Sequence, residues 1–227
     1  MLPTPAAAVR HVRYLYRRAR SPRFGDHYDG WRTRRIAAIT DHYGAGWFAG
    51  RSVLEVGCGY GDIGAAVAKL GASVTCSDAV AGHLKVVARR HPEVRIMRAD
   101  LDAGWPFADR YDLLLHLGVL YHLEDPEAAI RQALTAADHI VLETEVSDSD
   151  DPAFNVRTAE KGYDQAFNHV GCRPSPAFVE RVLTDAGRAF DRVTDDRCNH
   201  WIHRYDWPVE NTGAHESGRR RMWFVGP

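Results

Sequence analysis

A glycine-rich segment in the first third of the chain has the residue types needed to hold a charged small molecule. It reads VLEVGCGYGDIG over residues 53–64, where Gly57, Gly59 and Gly61 directly follow a predicted strand. Glycine lets the backbone turn sharply and lets a ligand approach without a Cβ in the way. Glu55 lies two residues before Gly57, and a carboxylate there suits a cationic ligand and repels a pyrophosphate. The segment therefore favours a ligand that carries positive charge.

The same glycines fit a second pattern, which leaves an alternative open. Gly59, Gly61 and Gly64 match G-x-G-x-x-G, which is typical of a dinucleotide whose pyrophosphate sits on a helix N-terminus. Asp78 ends the second predicted strand, and a carboxylate there can accept both ribose hydroxyls of either kind of ligand. Asp78 thus supports the fold more than it identifies the ligand.

Polar residues also follow the later strands. Asp100 and Leu101 lie in ADLD after the third strand, HLGVLYHLEDP (116–126) covers the end of the fourth, and Glu143 and Glu145 end the fifth. Open α/β sheets bind their ligands at the carboxyl ends of the strands. We therefore expect these residues to meet at one edge of a sheet.

That sheet is predicted from apolar runs that alternate with helical segments. Strands are expected over 52–56, 72–77, 94–97, 111–118, 139–146, 189–194 and 220–226, and helices over 4–20, 31–45, 62–70, 80–90, 126–137 and 174–187. Near-continuous apolar strands between helices are typical of a parallel sheet that is covered on both faces. Ser175 and Pro176 are the expected cap and first turn of the last helix.

The order VLEVGCGYG, SDA, RADLD and LGVLYHLEDP resembles the class I S-adenosylmethionine-dependent methyltransferases, over roughly residues 31–146. The resemblance implies an α/β, Rossmann-like, doubly wound sheet of seven mostly parallel strands with an antiparallel last strand. It also implies S-adenosyl-L-methionine as the cofactor. The implied cofactor-binding residues are Glu55, Gly57, Gly59, Gly61, Asp78, Asp100, Leu101 and His116.

By the same resemblance, the segment after the fourth strand lines the methyl-transfer site. His122 is the strongest candidate for a general base, because a hydroxyl acceptor must lose its proton. Tyr121 is a candidate for binding or stacking against the substrate, and Glu143 for binding substrate or assisting a histidine. The plainer alternatives are that His122 orients a loop, that Tyr121 packs, and that the glutamate is solvated or caps a helix.

The C-terminal third contains two long polar stretches, residues 147–174 and 195–218, which we interpret as substrate-side insertions. HWIHRYDW (200–207) places aromatic rings beside histidines and an arginine. Such a cluster suits a sugar ring, and it is equally typical of packing under a loop. His169, Cys172, Cys198, His200 and His203 have spacings that predict no metal site.

The composition narrows the class of protein. The net charge of −1 argues against a dedicated nucleic-acid binder, although nine arginines crowd the first 35 residues. No stretch approaches the roughly 20 apolar residues of a membrane helix, and the N-terminus lacks a secretory apolar core, so we expect a cytoplasmic protein. The four cysteines form no CxxC pair and are expected to be free thiols.

Together these observations predict a single methyltransferase domain over residues 1–227. Its expected parts are an N-terminal helical cap (1–50), a cofactor-binding core (51–146), and insertions with closing strands (147–227). The expected reaction is O-methylation of a small polar hydroxyl compound such as a saccharide. The chain is also similar to the wobble-uridine carboxymethyltransferases of bacterial tRNA. A non-catalytic scaffold, a dehydrogenase and a homodimer also stay open.

Overall fold

The structure is a computed structural model that describes residues 26–160 and 166–227. The helix predicted over 4–20 and most of the N-terminal arginines lie outside these residues. The next predicted helix is present as α1, Asp26–Tyr43, and a single 3-10 turn, Ala45–Phe48, connects it to the sheet. None of the helices in the described part of the chain is long and apolar enough to cross a membrane.

The described residues contain nine strands and five α-helices, and seven of the strands form the main sheet. The first five strands are β1 (Ser52–Val56), β2 (Ser73–Asp78), β3 (Arg95–Arg98), β4 (Tyr111–Leu117) and β5 (Ala137–Glu145). The remaining strands are β6 (Asn155–Ala159), β7 (Val170–Pro174), β8 (Phe190–Arg192) and β9 (Arg220–Val225). The later helices are α2 (Asp62–Ala68), α3 (Ala81–Arg90), α4 (Pro126–Ala136) and α5 (Pro176–Asp185).

The strand order confirms the predicted fold class. The sheet runs β3-β2-β1-β4-β5-β9-β8, with β1 to β5 parallel and β9 antiparallel to both of its neighbours. Val53 and Leu54 in β1 are fully buried and belong to two different apolar clusters, one on each face of the sheet. A sheet covered on both faces in this way requires the near-continuous apolar strands that the sequence shows.

The helix caps agree with the local sequence. Ser175 accepts a hydrogen bond from the Phe178 amide at 2.9 Å, and Pro176 occupies the first helical position of α5. Asp125 caps α4 in the same way, accepting from the Ala128 amide at 3.0 Å. Both helices thus begin with a side chain that satisfies an otherwise unpaired backbone donor.

The first C-terminal insertion contains structure that its sequence does not predict. β6 and β7 form a separate antiparallel pair within residues 147–174. NVRTA and VGCRP lack an alternation of apolar and polar residues, so periodicity gives no signal there. The pair is held by contacts that are distant in sequence: the Ser147 amide bonds the Pro174 carbonyl at 2.9 Å, and the Cys172 thiol donates to the Leu120 carbonyl at 3.4 Å. All four cysteines are free and buried, as expected.

Candidate active site

The glycine-rich loop after β1 adopts a conformation that favours glycine. Gly57, Gly59 and Gly61 have φ values of 61°, 56° and 74°, all in the left-handed region. A Cβ added to Gly57 would lie 2.7 Å from the side chain of Val119. The loop therefore lies so close to the segment after β4 that a side chain at position 57 would clash with it.

Glu55 lies beneath this loop and is only 3% exposed. Its carboxylate accepts hydrogen bonds from the Gly64 amide at 2.9 Å and from the Cys76 thiol at 3.4 Å. Burial raises the pKa of Glu55 to about 7. A Cβ on Gly64 would lie 2.6 Å from the carboxylate, so the last glycine of the G-x-G-x-x-G pattern allows α2 to pack against Glu55.

Asp78 at the end of β2 connects the loop to α3. Its carboxylate accepts from the Gly59 amide at 2.9 Å and from the Val80 amide at 2.8 Å, and it contacts His83 Nδ1 at 3.1 Å. A carboxylate has about four acceptor sites, so Asp78 keeps capacity for a further donor. No motif in the sequence singles out His83.

Glu55, Gly57, Gly59, Asp78 and His83 line one cavity of about 450 Å³ at the carboxyl edge of the sheet. The β1 to β3 side of the wall is acidic, and it consists of Glu55, Asp62, Asp78, Asp100 and Asp102 together with Leu101. The opposite side comes from the segments after β4 and β5 and from the C-terminal insertions. It contains Tyr121, His122, Glu145, Arg173, His203, His215 and Arg220, while Tyr28, Trp31, Arg32 and Arg35 reach the cavity from α1.

His122 lies on the cavity wall and is oriented by a buried carboxylate. Its Nδ1 contacts Glu160 in a very short hydrogen bond, and Glu160 also accepts from Arg173 Nη2 at 2.6 Å and from the Ala166 amide at 2.9 Å. Burial opposes ionisation, but the hydrogen bonds and electrostatic attraction of His122 and Arg173 hold the pKa of Glu160 below its ordinary value. The histidine therefore has a charged partner of fixed position.

Tyr121 lies next to His122 and contacts two guanidinium groups. The Arg173 and Arg220 guanidinium carbons lie 5.1 Å and 4.9 Å from the centre of its ring. Burial raises the pKa of Tyr121 well above its ordinary value. Its phenol is thus neutral, and its ring forms part of the cavity wall.

Three of the predicted site residues lie outside the cavity lining: Gly61, Glu143 and His116. Glu143 is fully buried outside the cavity lining, where it pairs with Arg220, accepts from Arg35 Nη1 at 3.3 Å and accepts from the Tyr205 hydroxyl at 3.2 Å. His116 is also fully buried, and neither ring nitrogen has a hydrogen-bond partner in the described chain. Burial lowers its pKa to about 4, so it is a neutral core residue.

Glu145 is the member of the glutamate pair that reaches the cavity. It contacts Arg220 Nη1 at 3.2 Å, His215 Nε2 at 3.0 Å and Arg173 Nε at 3.6 Å. Its pKa is well below the ordinary value because the hydrogen bond to His215 and the nearby arginines outweigh burial. Alternation along β5 predicted that both glutamates share one face, and Arg220 does contact both.

The HWIHRYDW segment divides between packing and the cavity. Tyr205 is buried and accepts a hydrogen bond from the Trp31 indole at 2.8 Å, and Trp207 packs against the Arg221 guanidinium, 3.9 Å from its ring centre. Ile202 and His203 instead line the cavity. Within residues 26–160 and 166–227, no group of three or more histidine, cysteine or acidic side chains is placed to hold a metal ion.

Several residues of the cavity wall belong to no recognisable sequence motif. Trp31 and Arg35 lie on adjacent turns of α1, on one face of that helix. Glu160, Arg173 and His215 belong to the insertions, whose sequences show no periodicity. Their positions in the cavity wall depend on contacts with residues that are distant in the sequence. The length of the insertions is the only feature of the sequence that points to them.

Residues 53–139 match a sequence family described as a methyltransferase domain. Among curated proteins, the chain is similar to the ubiquinone biosynthesis O-methyltransferase of Ruegeria sp. (strain TM1040). The two are 36% identical over 84 residues, which are 35% of this chain and 34% of that protein. The protein of the same name from Ruegeria pomeroyi (strain ATCC 700808 / DSM 15171 / DSS-3) is 35% identical over 89 residues, 37% and 36% of the two chains. The chain thus matches about a third of the length of these relatives.

Solved structures share the fold over most of the chain. The N-terminal domain of EvdMO1, in the presence of SAH and D-fucose, has a TM-score of 0.64 at 20% identity and covers 89% of this chain and 84% of its own. Magnesium protoporphyrin IX methyltransferase from Synechocystis PCC 6803, with bound SAM, has a TM-score of 0.60 at 17% identity and covers 100% of both. Residues 53–139 of this chain thus match the methyltransferase-domain family, and the chain shares the Rossmann-like fold of these solved structures.

Proposed function

We propose that this chain is an S-adenosylmethionine-dependent methyltransferase that acts on an oxygen of a small polar compound. One observation carries the proposal: a single cavity joins the glycine-rich loop, Glu55 and Asp78 on one side to His122 on the other. Its volume of about 450 Å³ lies within the range of small-molecule sites. A donor and an acceptor can therefore meet in it.

The acidic side of the cavity fits the cofactor. Gly57 and Gly59 hold the methionine portion close to the backbone, and Gly61 contributes to the shape of the loop. The Glu55 carboxylate below them suits the ammonium and sulfonium charges of the cofactor. Asp78 accepts the ribose hydroxyls with its remaining capacity. Asp100 and Leu101, which line the same side, bind the adenine ring.

Arg35 is the residue that we add to this set. It is 5% exposed, lines the cavity, and has no partner for its Nε within the described chain. Its Nη1 is held by Glu143 at 3.3 Å. A buried guanidinium with unused donors suits a carboxylate, so Arg35 pairs with the carboxylate of the cofactor. Glu143 then acts by positioning Arg35 and Arg220, and His116 acts as core.

His122 takes the proton of the acceptor in this scheme. The bound cofactor supplies a methyl group that is already activated on a sulfonium, so the protein has to align the acceptor and exclude water. Because Nδ1 of His122 bonds Glu160, Nε2 is the nitrogen left to accept the proton. Glu160 stabilises the imidazolium that results, and Tyr121 closes the wall beside it.

A hydroxyl compound of the saccharide type is the proposed acceptor. The wall on this side combines the aromatic rings of Trp31 and Tyr121 with the neutral hydrogen-bonding groups of His203 and Ser217, a mixture that suits a sugar ring. The relatives are named as O-methyltransferases, and a structural neighbour was solved with D-fucose. Both names favour an oxygen acceptor.

The test is transfer of a trideuteromethyl group from labelled S-adenosylmethionine to a panel of sugars and phenols, followed by mass spectrometry. We expect a labelled product with at least one hydroxyl compound, formed about 10²–10⁴-fold more slowly by His122→Ala. Label transfer only from carboxylated S-adenosylmethionine to tRNA would support the tRNA-modifying alternative instead. Absence of both transfer and cofactor binding would support a non-catalytic scaffold.

A further inference from the structure

His203 is a cavity residue to which the proposed reaction assigns no particular group of the substrate. It comes from the HWIHRYDW segment, lines the cavity and is 9% exposed. Its Nδ1 is buried without a hydrogen-bond partner among the described residues.

The ring of His203 is held in place and uncharged. It stacks on Trp31 with ring centres 3.8 Å apart and planes 30° apart, and the Trp31 indole is itself held by Tyr205. Burial, reinforced by Arg220, lowers the pKa of His203 well below its ordinary value. Arg35 and His200 act in the same direction, and Glu145 opposes them. Because Nδ1 is enclosed, the ring reaches the cavity through the edge that carries Nε2.

We propose that His203 is a binding residue for an uncharged hydroxyl of the methyl acceptor, distinct from the hydroxyl that His122 deprotonates. This assignment rests on the proposed function and makes its substrate class more specific. A neutral imidazole either donates to or accepts from a hydroxyl. The two nearby arginines, Arg35 and Arg220, are both paired with Glu143, so the charges around the ring are balanced and favour neither a cation nor an anion.

The acceptor therefore carries at least two hydroxyl groups, one at each end of its binding site. Ile202 lines the cavity next to His203 and offers apolar surface to the carbon skeleton between the hydroxyls. This combination describes a cyclic polyol better than a simple phenol.

D-fucose is the probe, and it is titrated calorimetrically into protein that has been saturated with S-adenosylhomocysteine. Two variants separate hydrogen bonding from packing. His203→Gln places an amide at about the reach of Nε2, whereas His203→Phe keeps the stack on Trp31 and removes the hydrogen bond. We expect His203→Gln to bind D-fucose within threefold of the original protein, and His203→Phe to bind about tenfold more weakly. S-adenosylhomocysteine affinity should be unchanged in both.

Unchanged D-fucose affinity in His203→Phe would overturn the assignment, and so would equal weakening in both variants. Lack of saturable D-fucose binding up to about 100 mM in protein that binds S-adenosylhomocysteine would overturn it as well. Failure to bind S-adenosylhomocysteine would instead contradict the proposed function on which the assignment rests.

Discussion

At the scale of single residues, the site depends on buried acids whose environments differ. Glu55 has mainly neutral partners, and burial dominates its pKa. Glu145 and Glu160 are as buried, yet histidine and arginine partners hold their pKa values below the ordinary value. The same residue type therefore serves as a titrating group under the loop and as a permanently charged group behind the histidines.

Glu55 makes the unfolding free energy depend on pH in a defined direction. Its pKa is about 7 in the folded protein and about 4.3 when exposed, so the folded state holds a proton that the unfolded state has lost. Stability from this group is therefore present below about pH 4.3 and declines by roughly 3 kcal/mol as the pH rises to 7. Urea unfolding at pH 5 and pH 8 should show a smaller decline in Glu55→Gln. An equal decline in both proteins would contradict the assigned environment.

His122 and Glu160 should affect turnover and not cofactor binding. Removal of a general base commonly lowers kcat by about 10²–10⁴-fold, and we expect this for His122→Ala with S-adenosylhomocysteine affinity within twofold. Glu160→Gln keeps the hydrogen bond and loses the charge, so its kcat should fall by about tenfold. The measurement is the initial rate of label transfer to the acceptor found in the panel. Full activity of His122→Ala would remove this residue from the mechanism.

At the scale of elements, the sequence predicts the core well because each strand and helix there has a local signal. Asp78 ends β2 and the glycines follow β1, so strand order alone brings them together. The β6 and β7 pair lacks such a signal because these strands are held by partners that are distant in the sequence. The positions of Glu160 and Arg173 are therefore not predicted either. The positions of Glu143 and His116 near strand ends predict that both residues reach the cavity. In the structure, their side chains point into the buried interior.

The cap of α5 is a local feature whose contribution to stability can be measured. Ser175 satisfies the Phe178 amide and also donates to the Asp151 carbonyl at 2.6 Å. Loss of an N-cap side chain typically lowers the unfolding free energy by about 1 kcal/mol, with an upper range of about 2. Ser175→Ala should show this in urea unfolding, whereas Thr184→Ala, an exposed change within the same helix, should not. Equal stability of the two variants would contradict the capping role.

At the scale of the whole molecule, a buried network joins elements that are far apart in the chain. Arg35 from α1, Glu143 and Glu145 from β5, Arg220 from β9, and Arg173 from β7 are linked by ion pairs, and Glu160 extends them to His122. Its three arginines and three glutamates balance in charge. The network thus ties the helix before the sheet, the first insertion and the closing strand β9 to the wall of the cavity.

Breaking this network should be costly because one charge would be left buried. Arg220→Met removes the closest partner of Glu143, and loss of one member of a buried pair is typically destabilising by about 3–5 kcal/mol. Arg110→Met breaks an exposed pair with Asp138 and should change stability by less than about 1 kcal/mol. Thermal or urea unfolding distinguishes the two. Similar small effects from both would show that the buried pairs are not needed.

We propose that one cavity holds S-adenosylmethionine, with Asp78 bound to its ribose. Calorimetric titration with S-adenosylhomocysteine tests this binding most directly. We predict micromolar binding to the unaltered protein and no binding of NAD. Asp78→Ala should bind about 10- to 150-fold more weakly, from the loss of about 1.5–3 kcal/mol for a charged hydrogen bond. The exposed change Asp138→Ala should have no effect. Lack of saturable binding by the unaltered protein, or equal affinity in Asp78→Ala, would contradict the account.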